Sequence, residues 1–129
     1  MTIRVHKAPV GKLAQTVEID PHTLLTDVKE ASGGDDLAPD PHDLLNAALA
    51  GCTALTLKMY ANRKGWPLEN ADVIISYEES PGHYRLKREI TLQGNLDEEQ
   101  RQRLLEIANK CPIHRVLTGE ITIESALVH

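Results

Sequence analysis

Cys52 and Cys111 are the only cysteines in this chain of 129 residues. Two thiols can form a structural bridge, hold a metal, or work as a redox pair in which one sulfur attacks and the other resolves. They can also do none of these, because free Cys is among the most buried residue types and packs as a small hydrophobe. Their surroundings differ. Cys52 sits near the middle of "DPHDLLNAALAGCTALTLKMY", which has no charged side chain from Leu44 to Leu57. Among apolar groups a thiol is inert unless a cation or a helix N-terminus activates it. In a helix starting at Asp40, Cys52 lies roughly three turns in, beyond the reach of the dipole, so activation must come from a side chain folded over it. Cys111 adjoins Lys110, precedes Arg115 by four residues, and is followed by Pro112, which interrupts a helix or restarts one. Soft metal ligands are present in Cys52, Cys111 and His114, with His42. The spacing Cys111-Pro-Ile-His114 matches no compact zinc motif, and no metal or cofactor is expected.

The composition narrows the setting. A formal net charge of -5 argues against nucleic acid and against an acidic membrane surface. The apolar run Leu44–Leu57 is shorter than the ~20 residues of a membrane span. "MTIRVHKAPV" is too polar for a signal peptide, so a cytoplasmic protein is expected, in which two cysteines are free, redox-active or metal-binding rather than bridged. Aromatics make up 3% and Phe is absent, so Leu, Ile, Val and Ala must build the core.

The elements that position the thiols are legible by period. Ile3 and Val5, then Leu13, Val17 and Ile19, then "HTLLTDV" read as two or three antiparallel strands. "KEASGGDDLAPDP" is a loop whose end starts a helix: Asp40 caps, Pro41 fits the first helical position, and Asp43 suits the positive end of the dipole. The helix runs to Lys64, where Gly65 takes the left-handed cap and Pro67 blocks continuation. Val73, Ile75 and Tyr77 mark a strand. Beyond the Pro81-Gly82 turn, Tyr84, Leu86, Arg88, Ile90 and Leu92 share one strand face, on which Arg88 is the charged exception. "LDEEQRQRLLEIANKC" is a second helix with Leu104, Ile107, Ala108 and Cys111 on one stripe. "ITIESALV" reads as a last alternating strand. The order gives a single α+β domain over residues 1–129, with antiparallel sheets.

The first helix is apolar or small all round for about four turns, so it must be buried on every side. A chain of this size has little with which to surround it. A homodimer that packs two such helices between two sheets would do so, and Ala47, Ala48, Ala50, Gly51 and Ala54 allow close approach. The plainer alternative is one Ala-rich face left at the surface.

"PHDLLNAALAGCTALTLKMYANRKGWPLE" and "LLEIANKCPIHRVLTGEITIE" resemble the OsmC/Ohr superfamily of thiol-dependent hydroperoxidases, from Thr23 to the C-terminus and including the "GGDD" loop. The resemblance implies an OsmC-like fold, an intertwined homodimer with two long central helices between antiparallel sheets. It implies that Cys52 is the peroxidatic nucleophile and Cys111 the resolving thiol. The implied substrate is a small organic hydroperoxide and the implied reductant a dithiol such as a lipoyl-bearing protein.

The chain departs from that pattern at two places. The superfamily's Glu, ten residues before the nucleophile, is His42 here, beside Asp43. Its Arg in the first turn is missing, and that region offers Lys7 and Lys12. A protonated His42 can stabilise a thiolate, or it is simply a solvated helix-start residue. Arg88 is the candidate replacement cation, because an unpaired charge on an apolar strand face is costly; otherwise it snorkels at an edge or forms a structural ion pair. His114 and Arg115 are expected at the surface or in the dimer contact. Both thiols favour a peroxidase. The altered Arg and Glu positions favour a non-catalytic dimer that binds a small hydrophobic ligand.

Overall fold

The computed structural model describes residues 2–128. The chain forms two compact units, one ending at Asn46 and the other beginning at Ala47. The first holds a three-stranded antiparallel meander of β1 (Ile3–Lys7), β2 (Gln15–Ile19) and β3 (His22–Thr26), in the order β1-β2-β3. In register, Val5 faces Val17 and Val17 faces Leu24, so one column of β-branched and aliphatic side chains crosses the sheet.

The loop after β3 is organised by Asp27. Its buried carboxylate accepts from the backbone N–H groups of Val28 at 2.8 Å, Leu37 at 3.1 Å and Asp35 at 3.2 Å. These bonds favour the charged form, and they hold the carboxyl below the usual carboxylate range despite burial. One 3-10 turn, Glu30–Ser32, interrupts what the sequence shows as loop.

Helix α1 (Pro41–Lys64) crosses from the first unit into the second. Asp40 caps it, its carboxylate accepting from Asp43 N–H at 2.9 Å, while the Asp43 carboxylate accepts from Asp40 N–H at 3.3 Å. This is the reciprocal pattern of a capping box. At the other end Gly65 adopts φ 70°, and Trp66 N–H reaches Ala61 O at 2.9 Å. That is a Schellman stop, which glycine accommodates without a Cβ penalty.

The second unit continues with the hairpin β4 (Leu68–Ser80) and β5 (His83–Gly94), joined through Pro81-Gly82 with Gly82 at φ 72°. Two shorter helices follow, α2 (Glu98–Ala108) and α3 (Pro112–Thr118). Leu57 and Ala61 of α1, Leu68 and Leu96, and Leu104, Ile107 and Ala108 of α2 form the buried core, backed by Ile90 and Leu92. Leu104 is fully buried, and its truncation to Ala should cost about 2–5 kcal/mol. The α+β class and the antiparallel sheets agree with the sequence.

Two details differ from it. The second helix ends before Cys111, which is the N-cap of α3 rather than a member of the α2 stripe. Pro112 at the first position of α3 forces that break, since it cannot continue the ladder from α2. The expected strand "ITIESALV" does not form either. Residues 120–128 make neither helix nor strand, and Ile123 is 84% exposed. A strand needs an edge to pair with, and this segment joins no sheet in the single chain.

Candidate thiol site

Cys111 is wholly buried at the junction of four elements of the second unit. Its sulfur accepts from His114 N–H at 3.4 Å, as an N-cap side chain does. It also lies 3.9 Å from the hydroxyl oxygen of Thr53 on α1, itself completely buried. The Thr53 hydroxyl donates its one proton to Leu49 O at 2.7 Å. In the Thr53–Cys111 contact the oxygen therefore accepts and the thiol donates.

Arg88 completes the cluster. Tyr84, Leu86, Arg88, Ile90 and Leu92 do share the covered side of β5, as the alternation indicates. The guanidinium donates to Thr53 Oγ1 at 3.1 Å, to Asn109 Oδ1 at 2.8 Å, and through Nη2 to His114 Nδ1 at 3.2 Å. A guanidinium has no acceptor, so Nδ1 of His114 is the accepting nitrogen and the ring is neutral with its proton on Nε2. Burial, and then the positive charge of Arg88, push the His114 pKa below its ordinary value.

Cys52 faces elsewhere. It is half-buried, and its sulfur lies 3.9 Å from the hydroxyl of Thr56 one turn along α1. Its neighbours on that side of the helix, Gly51, Leu55 and Met59, are exposed in the single chain, Leu55 by 66% and Met59 by 63%. Both cysteines are free thiols. Residues 52 and 53 are one step apart on α1, about 100° around the axis. The thiol of Cys111 thus rests against the next-door neighbour of Cys52.

The other sequence candidates lie in the first unit. His42 is exposed in the opening turn of α1. Lys7 uses its three ammonium protons on the carbonyls of Ala8, Val10 and Gly11, at 2.7, 3.2 and 2.9 Å, so it closes its own turn. Lys12 reaches Asp35 at 3.8 Å. The strand alternation puts Arg88 on an inward face, whereas nothing in the sequence marks Thr53 or Asn109, and His114 is expected at the surface or in the dimer contact. Within the chain His114 is half-buried and bonded to Arg88. The available signal was Cys-Pro-x-His itself: with Cys as N-cap and Pro at the first helical position, the third position turns back toward the cap.

The model of the OsmC-like protein family matches residues 33–126. The chain therefore belongs to the OsmC-like protein family, within the OsmC/Ohr superfamily. A comparison with curated proteins finds no match. Among solved structures, the chain resembles an OsmC-like protein from Mycoplasma pneumoniae, with a TM-score of 0.73 and 17% identity over 100% of this chain and 99% of that one. It also resembles the organic hydroperoxide resistance protein OhrB of Bacillus subtilis, with a TM-score of 0.57 and 23% identity over 92% of each chain. A third is an organic hydroperoxide resistance protein OsmC from Legionella pneumophila, with a TM-score of 0.65 and 21% identity over 92% of this chain and 88% of that one. At these identities the likeness establishes the fold.

Proposed function

We propose that this OsmC-like protein reduces small organic hydroperoxides, with Cys52 as the attacking thiol and Cys111 as the resolving one. The observation that carries this reading is the seat of the Cys111 sulfur, 3.9 Å from the hydroxyl of Thr53, the residue that follows Cys52 on α1. Family membership and the names of two structural relatives, both organic hydroperoxide resistance proteins, support it.

The chemistry runs in three balanced steps. The Cys52 thiolate attacks the terminal oxygen of ROOH. An S–O bond forms, the O–O bond breaks, and the alkoxide leaves and takes a proton to become an alcohol. The sulfur, oxidised by two electrons, is now a sulfenic acid. The Cys111 sulfur then attacks the Cys52 sulfur, an S–S bond replaces the S–O bond, and hydroxide departs with the Cys111 proton as water. A dithiol, such as a lipoyl-bearing protein, finally exchanges with the disulfide, restoring both thiols and becoming oxidised itself. For the second step Cys111 must leave Thr53 and turn one helix position, a local shift of the α2–α3 junction.

Arg88 acts on this cycle through Thr53 and His114, around the resolving thiol. His42, ten residues before Cys52, takes the position at which the superfamily has a Glu. The two compact units serve as one OsmC-like domain, and the functional state is an intertwined cytoplasmic homodimer. The exposed Leu55 and Met59, together with the unpaired Ile121 and Ile123, support a partner that covers them.

The experiment is steady-state oxidation of dihydrolipoamide by tert-butyl hydroperoxide. The wild type should turn over, Cys52→Ser should not, and Cys111→Ser should react once per subunit and stop. A wild type that consumes no peroxide would exclude the enzyme.

One observation favours the second reading, a non-catalytic dimer that binds a hydrophobic ligand. The hydrogen-bond partner of Cys52 is the uncharged Thr56, whereas Arg88 and Lys7 are engaged elsewhere.

A further inference from the structure

Arg88 is a half-buried cation without a counter-ion among the described residues. Its acceptors, Thr53, Asn109 and His114, are all neutral, and among the described residues it forms no ion pair. The neighbours on its face of the hairpin, Leu86 and Ile90 along β5 and Ile75 across from it, are apolar. A charge removed from water among such groups is costly unless an opposite charge meets it.

A cavity of about 260 Å³ lies against this cation. Leu49, Tyr84, Leu86 and Leu117 give it apolar walls, and Arg88 and His114 both line it. The neutral His114 has its remaining N–H on Nε2, a second donor for a ligand. At roughly 30 Å³ for each water-sized group, the space suits eight or nine non-hydrogen atoms. An apolar slot with one cation and one neutral donor is complementary to a short aliphatic chain that ends in a carboxylate.

We infer that this cavity is the carboxylate subsite for hydroperoxides of short organic acids. The inference rests on the proposed peroxidase reading for calling that ligand a substrate. The binding itself does not depend on turnover. The cavity shares Arg88 with the cluster that reaches the resolving thiol through Thr53, and Leu49, which also lines it, lies three residues before Cys52 on α1.

The test compares hexanoate with 1-hexanol, equal in chain length and different in charge, titrated into the intact wild-type protein at pH 7 and followed by NMR of the Leu117 methyls and the His114 ring. Hexanoate should bind at least about tenfold more tightly, the usual worth of a charge-assisted hydrogen bond, and shift both sets of signals. Leu117→Trp, which fills the cavity and leaves Arg88 in place, should abolish the shift of the His114 ring. Arg88→Gln should bring acid and alcohol to equal affinity. Equal binding to the wild type, or hexanoate binding unaffected by Leu117→Trp, overturns the subsite. Both of those measurements stand even if Arg88→Gln does not fold.

A second arm measures kcat/KM for 6-hydroperoxyhexanoic acid against hexyl hydroperoxide. A preference of about tenfold for the acid is expected, and a ratio near one overturns its role as substrate. If neither peroxide is consumed, the peroxidase reading fails, and hexanoate binding still decides whether the carboxylate site exists.

Discussion

The hydroxyl oxygen of Thr53 lies 3.9 Å from the sulfur of Cys111 and accepts a hydrogen bond from Arg88 at 3.1 Å. One buried side chain thus joins the helix that carries Cys52 to the thiol that would resolve it. Thr53→Val keeps the shape and removes the oxygen, leaving the Arg88 donor and the Cys111 S–H without that acceptor. The protein should lose about 1–3 kcal/mol in urea unfolding. An unchanged midpoint would mean that the contact is incidental.

His114 gives a pH signature. Its folded-state pKa is lowered, chiefly by burial and next by Arg88, so near its ordinary pKa of about 6.5 the unfolded chain binds the proton more readily than the folded one. Its contribution to stability is complete above that pH and is lost as the pH falls from there toward the folded value. NMR should show His114 titrating below the ordinary imidazole value, and His114→Gln should flatten the stability curve in that interval. A His114 that titrates at the ordinary value would contradict the neutral ring paired with Arg88.

Asp27 makes the corresponding prediction in the first unit. Its pKa is depressed by N–H bonds, first from Leu37 and then from Val28, so its contribution is present above the ordinary carboxylate range and lost as the pH falls through the folded value. Asp27→Asn should lower the melting temperature at pH 7, with the two curves converging as the pH falls below the ordinary carboxylate range. Parallel curves over the whole range would show that the carboxylate does not organise the loop.

The frame was legible where local signals agreed. Asp40, Pro41, Gly65 and Pro67 delimit α1, and the alternation in β5 places Arg88 on the covered face. The site was less legible because its members come from α1, β5, the end of α2 and α3, and no sequence period reports a contact between Thr53, Arg88 and Cys111. Cys111 falls in phase with the α2 stripe of Leu104, Ile107 and Ala108, yet Pro112 stops the ladder and makes it a cap. The last strand was predicted from alternation alone, which records a two-sided segment but not whether the chain offers an edge to receive it.

The apolar side of α1 leads to a further prediction. Leu55 and Met59 are more than half exposed in the single chain, and covering them would remove apolar surface at about 25 cal/mol per Å². The wild type should sediment as a dimer at micromolar concentration, and Leu55→Glu with Met59→Lys should shift it to monomer. A wild-type monomer would contradict the proposed assembly.

The proposed cycle is tested most directly by one oxidation. The reduced protein is treated with a single equivalent of cumene hydroperoxide per subunit, and its peptides are then mapped by mass spectrometry. The cycle predicts a Cys52–Cys111 disulfide within one chain, and in Cys111→Ser a sulfenic acid at Cys52 that dimedone traps. Two free thiols after the peroxide has been offered, or first oxidation at Cys111, would contradict it.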